Sequence, residues 1–200
     1  MPIDHKFIRI KRFYDENGLL KTVRQFFSVA IRDIFKNRFI IFYAELTQMT
    51  DDFILPDENT VVCRSKEEEL SEQEMNSLYF HRGREIISYQ LGKRFKEGAI
   101  IWFIKMNETP LGFIWSIRQK TIQPYFFPMC KNDVHLFDNE IFKEYRGKGI
   151  NRLLIGSTLF ELKRRGMVRA FIETGIWNKP EIRSLAKTEF NKLGMGSKMK

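Results

Sequence analysis

The stretch EYRGKGINRLLIGSTLFELKRRG, residues 144–166, begins as a glycine turn and continues as an amphipathic helical pattern over 151–165. Upstream, VHLFDNEIF (134–142) reads as a strand, and downstream VRAFIETG (168–175) reads as another. Strand, helix and strand joined in this way form a crossover between parallel neighbours, and such crossovers are right-handed. The fold class turns on this unit. Its turn, Arg146-Gly147-Lys148-Gly149, has three readings: a solvated loop, a basic patch for nucleic acid, or a cradle for a phosphorylated cofactor.

The remaining elements assemble around that unit. AIIWFIKM (99–106) and LGFIWSIR (111–118) are apolar, β-rich runs joined by NETP, which predicts a hairpin. TVVCR (60–64) predicts a short strand. Ser65 and Glu68 have capping-box spacing, which predicts a helix from 65 to about 80, followed by a second over 82–97. Pro180 to Lys192 predicts a closing helix, since proline is tolerated in a first turn. An antiparallel hairpin feeding a strand–helix–strand unit implies an α/β (α+β) fold with a mixed, mostly antiparallel sheet flanked by helices.

Residues 1–55 read as an N-terminal extension and 56–200 as the main domain. Within the extension, apolar residues from Leu19 to Phe35 fall at helical spacing, opposite Lys21, Arg24, Arg32, Lys36 and Arg38. A basic amphipathic helix of this kind either packs on the protein or lies on an anionic membrane surface through residues 19–38. FIIFYAEL (39–46) follows as a strand, and 50–59 as a linker.

Composition narrows the function. An apolar fraction of 43% and a charged fraction of 30% place the chain among globular proteins, away from disorder. Thirty-four basic and 25 acidic residues give a net charge of +9, which favours an anionic partner. Cys63 and Cys130 form no CxxC pair, and the three histidines show no ligand spacing. No metal site is expected, and a reducing cytoplasm is the expected compartment, with a peripheral position at the inner membrane face if the basic helix engages lipid.

The glycine turn carries the chemistry. Glycine permits tight turns and close approach of another group to the backbone. Amides at a helix N-terminus point outward, and the helix dipole adds partial positive charge. With Arg146 and Lys148 beside them, these amides suit a pyrophosphate held mainly by backbone N–H groups. The spacings of the P-loop and of the dinucleotide fingerprint are both absent.

Arg146-Gly147-Lys148-Gly149-Ile150-Asn151 resembles the acetyl-coenzyme A signature Arg-x-x-Gly-x-(Gly/Ala) of the GCN5-related N-acetyltransferases. The preceding KEY resembles that family's Pro-Glu-Tyr. FIETGIWNKPEIRSLAKTEF (171–190) is similar to its next segment, with Asn178, Ile182, Arg183 and Lys187 matching without a gap. The resemblance covers about two-thirds of the chain. Three positions depart from it. Asn151 stands where Gly or Ala is usual, Thr188-Glu189 stand where Leu-Gly is common, and the sequence stops at Lys200 where members continue into a closing pair of strands. NKLGMGSKMK supplies one strand at most, so the sheet is expected to close otherwise, with FIIFYAEL as the candidate, or to lack its final strands.

The resemblance implies an acyltransferase. Acetyl-coenzyme A would be the co-substrate, its phosphates on 146–151 and its pantetheine arm between strands 134–142 and 168–175. Ile141 and Phe142 would offer backbone hydrogen bonds to that arm, and Asn178 would hydrogen-bond it or cap the last helix. The acceptor would be a primary amine of a small molecule, an amino sugar of surface-polysaccharide synthesis being suggested by the long basic extension. Asp138 and Glu140, at alternate positions of one strand, share a face and are the candidate bases that take the amine's proton. His135 is a weaker candidate. The family's tyrosine acid falls at Leu185, or at Phe190 in a shifted register, so it is missing, with Ser184 as the substitute. A nucleic-acid module is the competing class, disfavoured because the cations are not gathered on one element. A non-catalytic acyl-coenzyme A binder or peripheral membrane protein is a third.

Overall fold

The computed structural model describes residues 37–50, 53–119 and 129–197, together with Gly18. The amphipathic helix expected from 19 to 35 and most of the aromatic run PYFFPM lie outside the described residues. Seven strands and four helices follow in the order β1 (Arg38–Glu45), β2 (Asn59–Arg64), α1 (Glu72–Arg82), α2 (Arg84–Lys96), β3 (Ile100–Met106), β4 (Thr109–Arg118), β5 (Asp133–Ile141), α3 (Ile150–Arg164), β6 (Arg169–Gly175), α4 (Lys179–Leu185) and β7 (Asn191–Ser197). The strands form one sheet in the order β2-β3-β4-β5-β6-β1-β7. Among the described residues only β5 and β6 pair in parallel, joined by the α3 crossover.

Period-two alternation explains why β3 is apolar from Ile100 to Ile104 and β4 from Pro110 to Trp115: both faces are covered. Trp102, Ile104, Ile114, Leu136 and Ile172 pack with Leu154, Ile155 and Leu159 of α3. Ile101, Phe103, Phe113, Trp115 and Ile117 pack with Leu78, Ile87 and Leu91 of α1 and α2. The β3–β4 hairpin turns on Asn107 and Glu108, both left-handed (φ 47° and 67°), so it is a two-residue turn matching the sheet twist. Phe53, in the expected linker, lies flat on Gly156 of α3, where a Cβ would collide with its ring.

Three boundaries differ from expectation. The helix expected from Ser65 begins instead after Ser71. Ser65 Oγ and N–H donate to the Glu69 carboxylate in a short turn, while Ser71 and Glu74 form the capping box. Glu74 is fully buried and also receives Arg64 and Lys105, both at 2.9 Å, so the ion cluster fixes the helix start. The closing helix ends at Leu185, not Lys192. Thr188 Oγ1 donates to Leu185 O at 2.7 Å, and residues from Asn191 leave to pair with β1. Finally, β1 is no appendage. It is inserted antiparallel between β6 and β7, so the division at residue 55 runs through a single sheet, which FIIFYAEL completes.

Candidate functional site

The site grows from a parting of two strands. β5 and β6 pair only from Asp133–Leu136 against Arg169–Ile172. Beyond Leu136 the ladder ends, leaving a gap in the pairing beside residues 137–141. A β-bulge accompanies the parting: Phe113 opposes Glu140 and Trp115 opposes Phe137, so Asp138 and Asn139 share one partner position. Asp138 adopts φ 50°, a left-handed conformation that aspartate tolerates better than most residues.

The glycine turn lies at the end of β5. Gly147 (φ 79°) and Gly149 (φ 80°) are both left-handed, and a Cβ at either would meet nothing within 4 Å. Gly149 is the N-cap of α3 and offers no side-chain cap. Its carbonyl accepts from Arg152 and Leu153, so the first bonded amide of the helix is that of Arg152. Among the described residues, the amides of Gly147, Lys148, Gly149, Ile150 and Asn151 have no backbone acceptor. Five successive amides without a backbone acceptor, at a dipole end without an acidic residue in the first turn, fit a polyphosphate. Lys148 stands over the Tyr145 ring, its ammonium 5.6 Å from the centroid.

Ile141 and Phe142 divide. Phe142 donates its N–H to Leu111 O and accepts from Tyr145, both at 2.9 Å. Its ring is buried against His81, 3.9 Å centroid to centroid. Both its backbone groups are therefore engaged inside the fold. Ladder alternation then turns Ile141's backbone groups away from β4 and towards the gap. Its carbonyl accepts from Arg146 Nε at 2.8 Å.

Asp138 and Glu140 are brought together, but by arginines. Arg82 of α1 donates to Asp138 Oδ1 (2.7 Å) and to Glu140 Oε2, and Arg94 of α2 donates to Asp138 Oδ2 (2.6 Å). Arg146 Nη2 reaches Glu140 Oε1 at 3.2 Å. Burial alone would raise the Asp138 pKa, yet the Arg82 and Arg94 charges outweigh it and hold the carboxyl below the usual range. Burial likewise opposes the charge on Arg82, and Asp138 and Glu140 overcome it. A carboxylate gripped at both oxygens and kept acidic is a poor proton acceptor. Through these bonds Asp138 ties β5 to the two helices.

On the α3 side of the gap lies a polar cluster. Asn139 Nδ2 donates to Asn151 Oδ1 (2.8 Å) and Glu181 Oε1 (3.0 Å), and Asn151 Nδ2 donates to Ser184 Oγ (2.7 Å). The Asn151 side chain thus finds its room by bridging β5 and α4. Burial pushes the Glu181 pKa up, opposed in part by the Asn139 bond. Asn178 caps α4, its Oδ1 accepting from Glu181 N–H at 3.5 Å behind Pro180. Leu185 and Phe190 are buried in the α3-side core, so neither register places a hydroxyl there. His135 is buried, and its Nε2 lies 2.7 Å from Glu173 Oε2 across the β5–β6 ladder. Arg82, Arg94, Asn139, Glu173 and Glu181 were not singled out from sequence. Asn139 carried a signal, as a polar residue following the apolar alternation Val134, Leu136. Among the described residues, no group of three His, Cys, Asp or Glu side chains is placed to hold a metal ion, and no helix is long and apolar enough to cross a membrane.

A break between parallel strands, with a bulge on one and a glycine-exposed helix N-terminus beside it, is the setting in which the comparisons with known proteins are read. The family model described as Acetyltransferase (GNAT) family matches residues 61–190, and the chain belongs to that family. Solved structures agree on the fold. A tandem GNAT protein from the clavulanic acid biosynthesis pathway superposes with a TM-score of 0.59 at 12% identity, covering 80% of this chain and 52% of that one. An acetyltransferase of the GNAT family from Colwellia psychrerythraea gives 0.56 at 11%, covering 82% and 56%. The GCN5-related glucosamine N-acetyltransferase region of a fungal multi-domain beta-N-acetylglucosaminidase gives 0.53 at 12%, covering 80% and 20%. The chain therefore spans little more than half the length of the first two. No match was found among curated proteins.

Proposed function

We propose that the protein is an N-acetyltransferase that moves an acetyl group from acetyl-coenzyme A to a primary amine of a small-molecule acceptor, by direct attack in a ternary complex. The observation that carries this reading is the row of five amides, 147–151, with two left-handed glycines at the start of α3. These amides hold the pyrophosphate, and Lys148 adds a full charge beside them. The gap beyond Leu136 takes the pantetheine arm, with Ile141's backbone groups along one wall and Asn139, Asn151 and Ser184 along the other. The thioester supplies the activated acyl group; the protein's part is to orient it, exclude water and collect the amine's proton.

An amino sugar is the acceptor we favour, supported by the glucosamine N-acetyltransferase region that shares this fold. A nucleic-acid interface is less well supported, because Arg82, Arg94 and Arg169 are spent on carboxylates within the fold.

Calorimetric titration with acetyl-coenzyme A tests the reading. Wild type should bind, and Gly149→Glu should not, because a side chain at φ 80° strains the turn and its carboxylate repels phosphate beside the row of amides. Absence of binding by wild type would remove the proposal.

A further inference from the structure

Glu140 and Asp138 share Arg82, yet they are held differently. Asp138 is fixed from two helices at short distance, by Arg82 and Arg94. Glu140 has one oxygen fixed by Arg82 and the other met only by Arg146, at 3.2 Å. Arg146 belongs to the turn itself, one residue before the first left-handed glycine, and its side chain is 58% exposed against 21% for Glu140. Its second hold, on Ile141 O, sits at the lip of the gap. The guanidinium therefore straddles the end of β5, with the carboxylate on the α1 side and the phosphate cradle beside it.

We propose that Arg146 is a latch shared between Glu140 and the phosphates of the cofactor, so that cofactor binding uncovers one carboxylate oxygen of Glu140 for the acceptor amine. The inference rests on residues 146–151 being the phosphate cradle. Exchange is cheap on one side, since an ion pair whose guanidinium is exposed contributes little. It is favoured on the other, since a planar guanidinium matches phosphate oxygens in a bidentate, charge-assisted way. Arg82 keeps Glu140 Oε2 in place throughout. The uncovered Oε1 takes one proton from the acceptor's ammonium group, giving a neutral amine and a carboxylic acid. Before the cofactor arrives both oxygens of Glu140 are covered.

The latch predicts a counter-intuitive gain. Free coenzyme A is titrated calorimetrically into wild type, Glu140→Gln, Arg146→Gln and the double variant, each checked for an unchanged far-ultraviolet spectrum. Glu140→Ala repeats the cycle without the amide. Removing the carboxylate frees the latch in advance, so Glu140→Gln should bind about two- to fivefold tighter, the scale of a partly exposed ion pair. Arg146→Gln should bind more weakly, and the Glu140 substitution should then change nothing, because the gain runs through Arg146. Equal tightening in both backgrounds would show repulsion between Glu140 and phosphate alone, and would overturn the latch. So would unchanged or weaker binding by Glu140→Gln and Glu140→Ala. If wild type itself fails to bind, the cradle falls and the latch with it; binding without coupling removes the latch only.

Discussion

Asp138→Asn isolates the charge that ties β5 to the two helices. The backbone at 138 is left-handed, φ 50°, and asparagine tolerates that region as well as aspartate does, so the substitution leaves the bulge unstrained. Asp138→Ala would add a left-handed penalty of about 1–2 kcal/mol. With asparagine, one oxygen remains to accept from Arg82 or Arg94 as a neutral bond, while the new amide nitrogen faces the other guanidinium. Arg82 keeps Glu140 and its place 5.2 Å from the Phe113 ring; Arg94 keeps only its stacking 5.0 Å from Trp115 and 5.3 Å from Phe137. A hydrogen bond to a charged group contributes about 1.5–3 kcal/mol. The Asp138 side chain is 20% exposed, which keeps the loss below that of a fully buried pair, so about 2 kcal/mol is expected. For a chain of 200 residues that lowers the melting midpoint by about 4–8 °C. The pH dependence follows from the depressed pKa of Asp138. Its stabilisation is complete above the unfolded value of about 3.9 and is lost as pH falls through the lower folded value. Thermal and urea melts followed by circular dichroism should therefore show a constant gap from pH 5 to 7 that closes below about pH 4. A gap under about 0.5 kcal/mol at pH 7, or one that survives in acid, refutes the account.

Two further outcomes follow. Burial raises the Glu181 pKa, so its contribution is fully present below the unfolded value of about 4.3 and lost as pH rises through the folded one. Glu181→Gln, which keeps an acceptor for Asn139, should gain stability relative to wild type as pH climbs from 4 to 8; melts showing no growing advantage contradict this. Ser71→Ala removes a true N-cap and should cost about 0.5–2 kcal/mol, whereas Ser65→Ala, at an exposed turn, should stay within about 0.5 kcal/mol. Equal losses in urea melts would return the helix start to Ser65.

Local chemistry made part of this molecule legible. The turn at 146–151 was readable because glycines before a helix have few uses, and both adopt the conformation that only glycine enters freely. The hairpin and crossover were readable from periodicity. The helix start differs from expectation because SKEE and SEQE offer the same capping spacing six residues apart, and only the burial of Glu74 with Lys105 chooses between them. The carboxylates were placed on one face, yet their arginines come from helices 44 to 58 residues away in sequence. No local pattern shows that Arg94, beside Leu91 and Phe95, turns inward to Asp138. Asn151 was equally opaque: its side chain is accommodated because Asn139 and Ser184 converge on it from two other elements.

The insertion of β1 explains why the gap exists at all. Two parallel neighbours that begin to pair would ordinarily continue, since each unpaired strand amide is costly when buried. β6 meets β5 in four registered pairs but meets β1 in seven, from Phe39–Gly175 to Glu45–Arg169. Where β6 leaves β5, its residues 173–175 are still held by Phe39, Ile40 and Ile41. β1 in turn is anchored on its far side by β7. β6 can therefore diverge from β5 without losing its place in the sheet, and β5 can bulge towards the arginines of α1 and α2. The first of the described strands is the one that lets the gap open between two strands far downstream of it.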